Sequence, residues 1–169
     1  DEAGGKVDKR PTKYLLLDSR IVESTRNAKL TVGTVAKHKD NPLFAEDKPW
    51  EPRFDNVYAN VLYDEQEQLF KCWYSPFVID SGHTETPRDQ RAPGQYMARL
   101  RATGGDREMG VCYATSKDGI VWAKPLMDVR RWKEDQKTNI VDIGPHGAGV
   151  IKDLREPDPK RRYKMFMKD

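Results

Sequence analysis

The sequence is poor in the residues that build metal and thiol sites. It has two cysteines and three histidines in 169 residues. His38, His83 and His146 are far apart, with no cysteine or paired carboxylate at ligand spacing, so no metal is expected. Cys72 and Cys112 are too few for a disulfide framework. Both lie in apolar strand-like runs, where buried thiols are the simpler reading and a bond between neighbouring strands is the other. Long apolar runs are also missing, which argues against a membrane span, and Asp1-Glu2-Ala3-Gly4-Gly5 lacks the charged-then-apolar pattern of a leader. No Gly-x-Ser-x-Gly elbow or EF-hand loop is encoded. Gly144, Gly147 and Gly149 follow a strand-like run in the wrong order for a dinucleotide fingerprint, and Pro157 and Pro159 forbid a long helix behind them. Charge of one sign is missing too: 30 basic residues against 27 acidic leave +3, interspersed along the chain. No nucleic-acid partner is therefore expected, and Arg130-Arg131 and Lys160-Arg161-Arg162 read as solvated turns, with contact to phosphate or sulfate the other reading.

Aromatic residues and turn signals are abundant. Four Trp, seven Tyr and five Phe supply the apolar surface that a disordered chain lacks. Residues 57–63 and 69–74 are β-branched and aromatic, with a polar turn between them, and predict an antiparallel hairpin. Residues 110–115 and 120–122, joined by Ser116-Lys117-Asp118-Gly119, predict a second hairpin on its Asp-Gly signal. Between the two lies a polar loop over residues 79–108, in which residues 95–101 suggest a helical turn. Residues 14–18 and 30–35 read as further strands. One domain is expected over residues 1–169: lead-in strands and loop to residue 50, a first four-stranded unit over 51–137, and the start of a second over 138–169.

An internal echo motivates that division. Val61-Leu62-Tyr63-Asp64, a turn, then Phe70-Lys71-Cys72-Trp73-Tyr74 recurs as Val150-Ile151-Lys152-Asp153, a longer turn, then Tyr163-Lys164-Met165-Phe166-Met167. Setting Lys71 on Lys164 puts aromatic on aromatic at Phe70/Tyr163 and at Trp73/Phe166. Repeated four-stranded sheets of this kind are what successive blades of a β-propeller look like.

The run from Tyr113 through Ser116-Lys117-Asp118-Gly119-Ile120-Val121-Trp122 to Pro125 resembles the Ser-x-Asp-Gly-x-x-Trp hairpin of five-bladed propeller glycosidases, the superfamily of glycoside hydrolase families 43 and 32. Asp40-Asn41-Pro42-Leu43-Phe44 resembles the element that precedes their first blade. The resemblance spans about residues 30–169 and implies an all-β, five-bladed propeller, of which one and a half to two blades lie in this chain. It implies a glycoside hydrolase acting on a poly- or oligosaccharide, secreted or periplasmic by family habit. It needs no cofactor, although a structural calcium ion at the propeller centre stays open. The position matching the family's nucleophile or general base is Asp55, in Arg53-Phe54-Asp55-Asn56. The family's second Asp falls near Pro145-His146-Gly147, where this sequence has none, and its general-acid Glu belongs to a third blade beyond these residues.

Glycoside hydrolysis needs two carboxyl groups flanking the bond, one protonated and one ionised. Asp55 lies among aromatics, with Trp50 and Arg53 close enough in sequence to supply a sugar platform and a carboxylate clamp. Asp55-Asn56 reads equally as a turn pair bonding its own backbone. Glu51 either lines the same mouth or is a solvated loop glutamate. His146, between glycines, either bonds a sugar hydroxyl or is a plain loop histidine. The expected substrate-binding set is Trp50, Glu51, Arg53, Asn56 and His146, around a catalytic Asp55. The competing class is a non-catalytic sugar-binding module using Trp50, Tyr58, Trp73 and His146. A further rival is an incomplete propeller that self-associates or awaits its remaining blades.

Overall fold

A computed structural model describes residues 17–84, 86–90 and 106–168. The chain divides into two units, Asp1–His38 and Lys39–Asp169. In the first, Asp18 caps a 3-10 turn over Ser19–Ile21 by accepting the Arg20 amide at 2.9 Å. Residues 30–35 form no strand, and Leu30, Val32 and Val35 are exposed. The expectation of strands here is corrected: β-branched composition makes a strand only where a partner supplies the ladder, and the described residues of this unit supply none. Leu17 is exposed as well. The rest of the 14–16 run, and the helical turn expected at 95–101, lie outside the described residues.

The second unit is built of antiparallel strands, so the all-β class holds. β1 (Asn60–Asp64) and β2 (Leu69–Tyr74) form the first hairpin. Its turn closes because the Asp64 carboxylate accepts the amides of Gln66 and Glu67 at 3.0 and 3.2 Å, as an Asx turn does. β3 (Phe77–Asp80) carries the register of β2 onward along β4 (Arg107–Ser116): Tyr74 opposes Cys112, then Phe77 opposes Met109. Pro76 interrupts the line because it has no N–H to give. Its carbonyl still accepts from the Gly110 amide at 3.1 Å. A four-residue helix α1 (Ser81–Thr84) follows β3 and occupies part of the expected loop.

The Asp-Gly hairpin forms, with its second strand beginning at Trp122 rather than at the expected Ile120. The Ser116 hydroxyl accepts the Gly119 amide at 2.9 Å, Asp118 accepts the amides of Ile120 and Val121 at 2.8 Å each, and Gly119 sits at φ +74°. Trp122 then closes the turn by donating its indole N–H to the Gly119 carbonyl at 3.0 Å. Each residue of the Ser-x-Asp-Gly-x-x-Trp run thus has a local task, which is why the motif is readable without tertiary context. β5 (Trp122–Ala123) pairs with the end of β4. β6 (Met127–Trp132) and β7 (Gln136–Thr138) form a separate pair. β8 (Ile140–Ile143) returns to β4, so residues 140–143 complete the first sheet.

β9 (Ala148–Lys152) and β10 (Tyr163–Met167) make the second hairpin. Its register repeats that of the first. Leu62 faces Lys71 and Tyr63 faces Phe70; Ile151 faces Lys164 and Lys152 faces Tyr163. The residues of the sequence echo therefore hold matching positions in the two hairpins, the first within a six-stranded sheet and the second as a two-stranded one. Alternation along β2 and β4 divides the core into two faces. Trp50, Cys72, Tyr74, Cys112, Ala114 and Ile140 pack on one, and Trp73, Val111 and Val150 on the other, where Tyr163 and Met165 of β10 cover them. Cys72 and Cys112 are buried free thiols.

The hairpins are tied together at one end by Asp64, whose side chain is fully buried. Lys152 donates to both its oxygens at 2.7 Å, Tyr163 donates its hydroxyl, and Lys71 lies 3.5 Å away. Burial opposes ionisation of Asp64, but the Lys152 and Tyr163 hydrogen bonds outweigh it and hold the carboxyl far below its ordinary range. Burial likewise pulls against the Lys71 ammonium, and its bond to Glu67 at 2.6 Å helps to raise it.

Candidate functional site

The segment over residues 44–58 carries most of the expected site, and its two halves differ. Trp50 is buried, with its indole N–H donating to Asn139 Oδ1 at 2.7 Å. Glu51 has no exposed side-chain surface. It accepts the Tyr74 hydroxyl at 2.5 Å and the Lys124 ammonium at 2.6 Å. The Asn139 amide donates onward to the Tyr74 hydroxyl at 2.7 Å and to the Tyr113 carbonyl at 2.8 Å. Lys124 also donates to the Ala45 carbonyl at 2.7 Å and to Asp47 at 2.8 Å, within a cage formed by Phe44, Phe54 and Tyr74. Burial pushes the Tyr74 hydroxyl far above its ordinary range, so it stays protonated as the donor to Glu51.

Two expectations are corrected here. Trp50 is not a sugar platform and Glu51 does not line a mouth; both are structural members of one closed network. Its partners Lys124 and Asn139 lie 73 and 89 residues away from Glu51 and Trp50. No local pattern around Trp50-Glu51 could have shown them, and a glutamate between a tryptophan and a proline reads as a surface residue. Trp73, a stacking residue in the binding-module reading, is also buried, packed against Tyr113 and Tyr163.

Beyond Pro52 the loop opens. The Arg53 carbonyl accepts the Phe77 amide at 3.0 Å, which fixes the backbone beside the start of β3. The Arg53 guanidinium meets Asp55 at 2.6 Å and the buried Asp80 at 3.4 Å, and lies 5.0 Å from the Phe77 ring centre. Glu46 accepts the Phe54 amide at 2.9 Å, pinning the residue before Asp55. The Asp55 side chain is 43% exposed, so it is oriented by Arg53 and still reaches solvent. Asn56 is exposed beside it.

Tyr58, at φ +41° and half exposed, ends this loop just ahead of β1. His146, also exposed, belongs to the equivalent loop ahead of β9. Their rings meet edge to face at 5.0 Å. The Gly147 amide donates to the Ser75 hydroxyl at 3.2 Å, and the Ser75 amide donates to the Val57 carbonyl at 2.7 Å. Gly147 holds φ +85°, a conformation that an L side chain adopts only with strain. The loops leading into the two hairpins therefore meet at Tyr58 and His146, with Asp55 and Asn56 exposed a few residues earlier in the first of them.

Among the described residues no three His, Cys, Asp or Glu side chains converge as a metal site. No helix among them is long and apolar enough to cross a membrane. No family model, curated protein or solved structure matches the chain.

Proposed function

We propose that the chain contributes the sugar-facing surface of a five-bladed-propeller glycoside hydrolase, with Asp55 as its nucleophile or general base. The observation that carries the reading is the convergence of the two equivalent lead-in loops. Repeated hairpins arranged around a common axis bring their lead-in loops to one mouth, where an enzyme of this architecture binds its substrate.

The chemistry follows from the groups on that surface. Asp55, half exposed and held by Arg53, is an anionic oxygen available to attack an anomeric carbon or to deprotonate water. Tyr58 offers an aromatic face for the apolar side of a sugar ring. His146 and Asn56 offer donors and acceptors for hydroxyls. The proton for the leaving group must come from a second carboxylic acid. Asp80 is engaged with Arg53 and buried and Glu51 is spent on Tyr74 and Lys124, so the reading assigns that acid to a further blade. The family resemblance of the Ser116–Trp122 hairpin supports the propeller, and the shared register of the two hairpins supports a repeat. The proposed substrate is a poly- or oligosaccharide outside the cytoplasm.

The test is release of reducing sugar from a panel of polysaccharides and chromogenic glycosides by a protein that carries the further blades and by its Asp55→Asn variant. Activity that falls at least about a hundredfold in the variant, with circular dichroism unchanged, supports the reading. Turnover that survives the substitution removes Asp55 as the catalytic carboxylate. Glycan binding without turnover in the parent protein favours the sugar-binding module instead.

A further inference from the structure

We infer that Arg107, beside the proposed site, is an anion subsite, and that the glycan bound there carries negatively charged groups, carboxylate or sulfate. This deepens the reading of Asp55 as part of a sugar site and rests on it. Arg107 opens β4 opposite Asp80 of β3. Its guanidinium stacks on the Phe77 ring at 4.4 Å from the ring centre, and Arg53 lies 5.0 Å from the same centre. Phe77 thus presents two arginines, one of which already holds Asp55 at 2.6 Å.

The charges around this ring are unevenly shared. Asp80 is fully buried and lies between the arginines, 3.4 Å from Arg53 Nη1 and 3.7 Å from Arg107 Nε. The second distance is too long for a hydrogen bond. Among the described residues, the two terminal nitrogens of Arg107 make no hydrogen bond, and Asp80 is its one ion-pair partner. Glu108, next along the strand, turns to the other face by alternation. The Arg107 side chain is 29% exposed, so it reaches solvent while it stacks on Phe77.

A guanidinium that only closed over a core ring would stack in the same way. The difference lies in the unspent donors. Stacking fixes the plane of the fork in advance, so little rotamer entropy is lost when two parallel N–H groups meet a planar carboxylate or a sulfate. A neutral sugar offers no planar anionic acceptor to those two donors. One phenyl ring and one arginine separate the subsite from Asp55, so an acidic unit on Arg107 belongs to the same bound chain as the sugar at Asp55.

The test is calorimetric titration of the purified protein with three oligosaccharides of equal length: oligogalacturonate, a sulfated galactan and a neutral galactan. At least one charged probe is expected to bind about tenfold or more tightly than the neutral one. Arg107→Gln should abolish that preference while neutral binding and the melting temperature hold. Arg107→Lys, which keeps the charge and loses the fork, should retain only part of it, and serves where the Gln variant folds poorly. The carboxylate and sulfate arms separate the two sources of charge. Equal binding of charged and neutral probes, or a preference that survives Arg107→Gln, overturns the subsite and leaves the Asp55 reading standing. A charged preference without turnover keeps the subsite and removes the hydrolase. Failure of every probe to bind removes both.

Discussion

Glu51 and Asp55 are carried on one short segment, and the fold treats them in opposite ways. Glu51 is sealed between the Tyr74 hydroxyl and the Lys124 ammonium, with no surface left to solvent. Asp55 rests on one arginine with 43% of its side chain exposed. Both acids sit among aromatics in the sequence, so aromatic surroundings alone do not separate a structural carboxylate from one free to do chemistry. The long-range partners decide. The Lys124 cation and the Tyr74 hydroxyl, both distant in sequence, stabilise the buried Glu51 charge, and nothing comparable arrives at Asp55.

The contrast breaks most sharply in stability. Lys124→Met leaves the Glu51 charge buried without its cation and is expected to cost about 3–5 kcal/mol, read from the urea unfolding midpoint. Glu51→Gln should also destabilise strongly, since Lys124 then loses its buried counter-ion. Asp55→Asn removes a partly exposed ion pair and is expected to change stability by less than about 1 kcal/mol. A loss at Asp55 equal to that at Lys124 would erase the distinction between the two acids.

Asp64 extends the comparison through pH. Its carboxyl is held well below the ordinary value of 3.8. Ionised Asp64 is therefore favoured in the folded state, and its contribution is complete above the unfolded value. That contribution is lost as pH falls from about 3.8 toward the lowered native value. Acid unfolding monitored by fluorescence should begin in that interval, and Asp64→Asn should lower the neutral-pH stability while flattening the acid limb. An unchanged acid limb in the variant would show that the tie between the hairpins lies elsewhere.

Smaller effects sharpen the picture. Gly147→Ala forces a side chain to φ +85° and is expected to cost about 1–2 kcal/mol, seen as a lower melting temperature. Its added carbon would sit at ordinary contact distance, 3.5 Å, from Tyr58, so strain accounts for the cost. The thiols should be nearly inert in the folded protein, because burial pushes Cys72 up to about 12 and raises Cys112 further. Labelling with a thiol reagent at neutral pH is expected only after unfolding, and rapid native labelling would contradict the packing around β2 and β4.

Local chemistry was readable and long-range chemistry was not. The Asp-Gly turn is encoded by Ser116, Asp118, Gly119 and Trp122 acting on each other's backbone, so its form follows from seven consecutive residues. The repeat was readable because Lys71 and Lys164 occupy matching positions in hairpins of the same register. β3 is hidden in the sequence because Pro76 interrupts a line that β4 nonetheless holds together, whereas β8 shows as a strand-like run and only its pairing with β4, across the 116–139 segment, is hidden. Residues 30–35 misled because strand-like composition is silent about whether a partner exists. Within the site, Asp55, Asn56 and His146 are exposed, whereas Trp50 and Glu51 are claimed by Asn139 and Lys124, 89 and 73 residues away.

The most direct measurement is backbone amide chemical-shift mapping while neutral and acidic oligosaccharides are titrated into the protein. Shifts concentrated at residues 53–58, Ser75, Arg107 and residues 144–147 are expected, since these are the backbones that carry the converging loops and the arginine beside them. No shifts, or shifts confined to surfaces remote from these loops, would contradict a sugar site at Asp55.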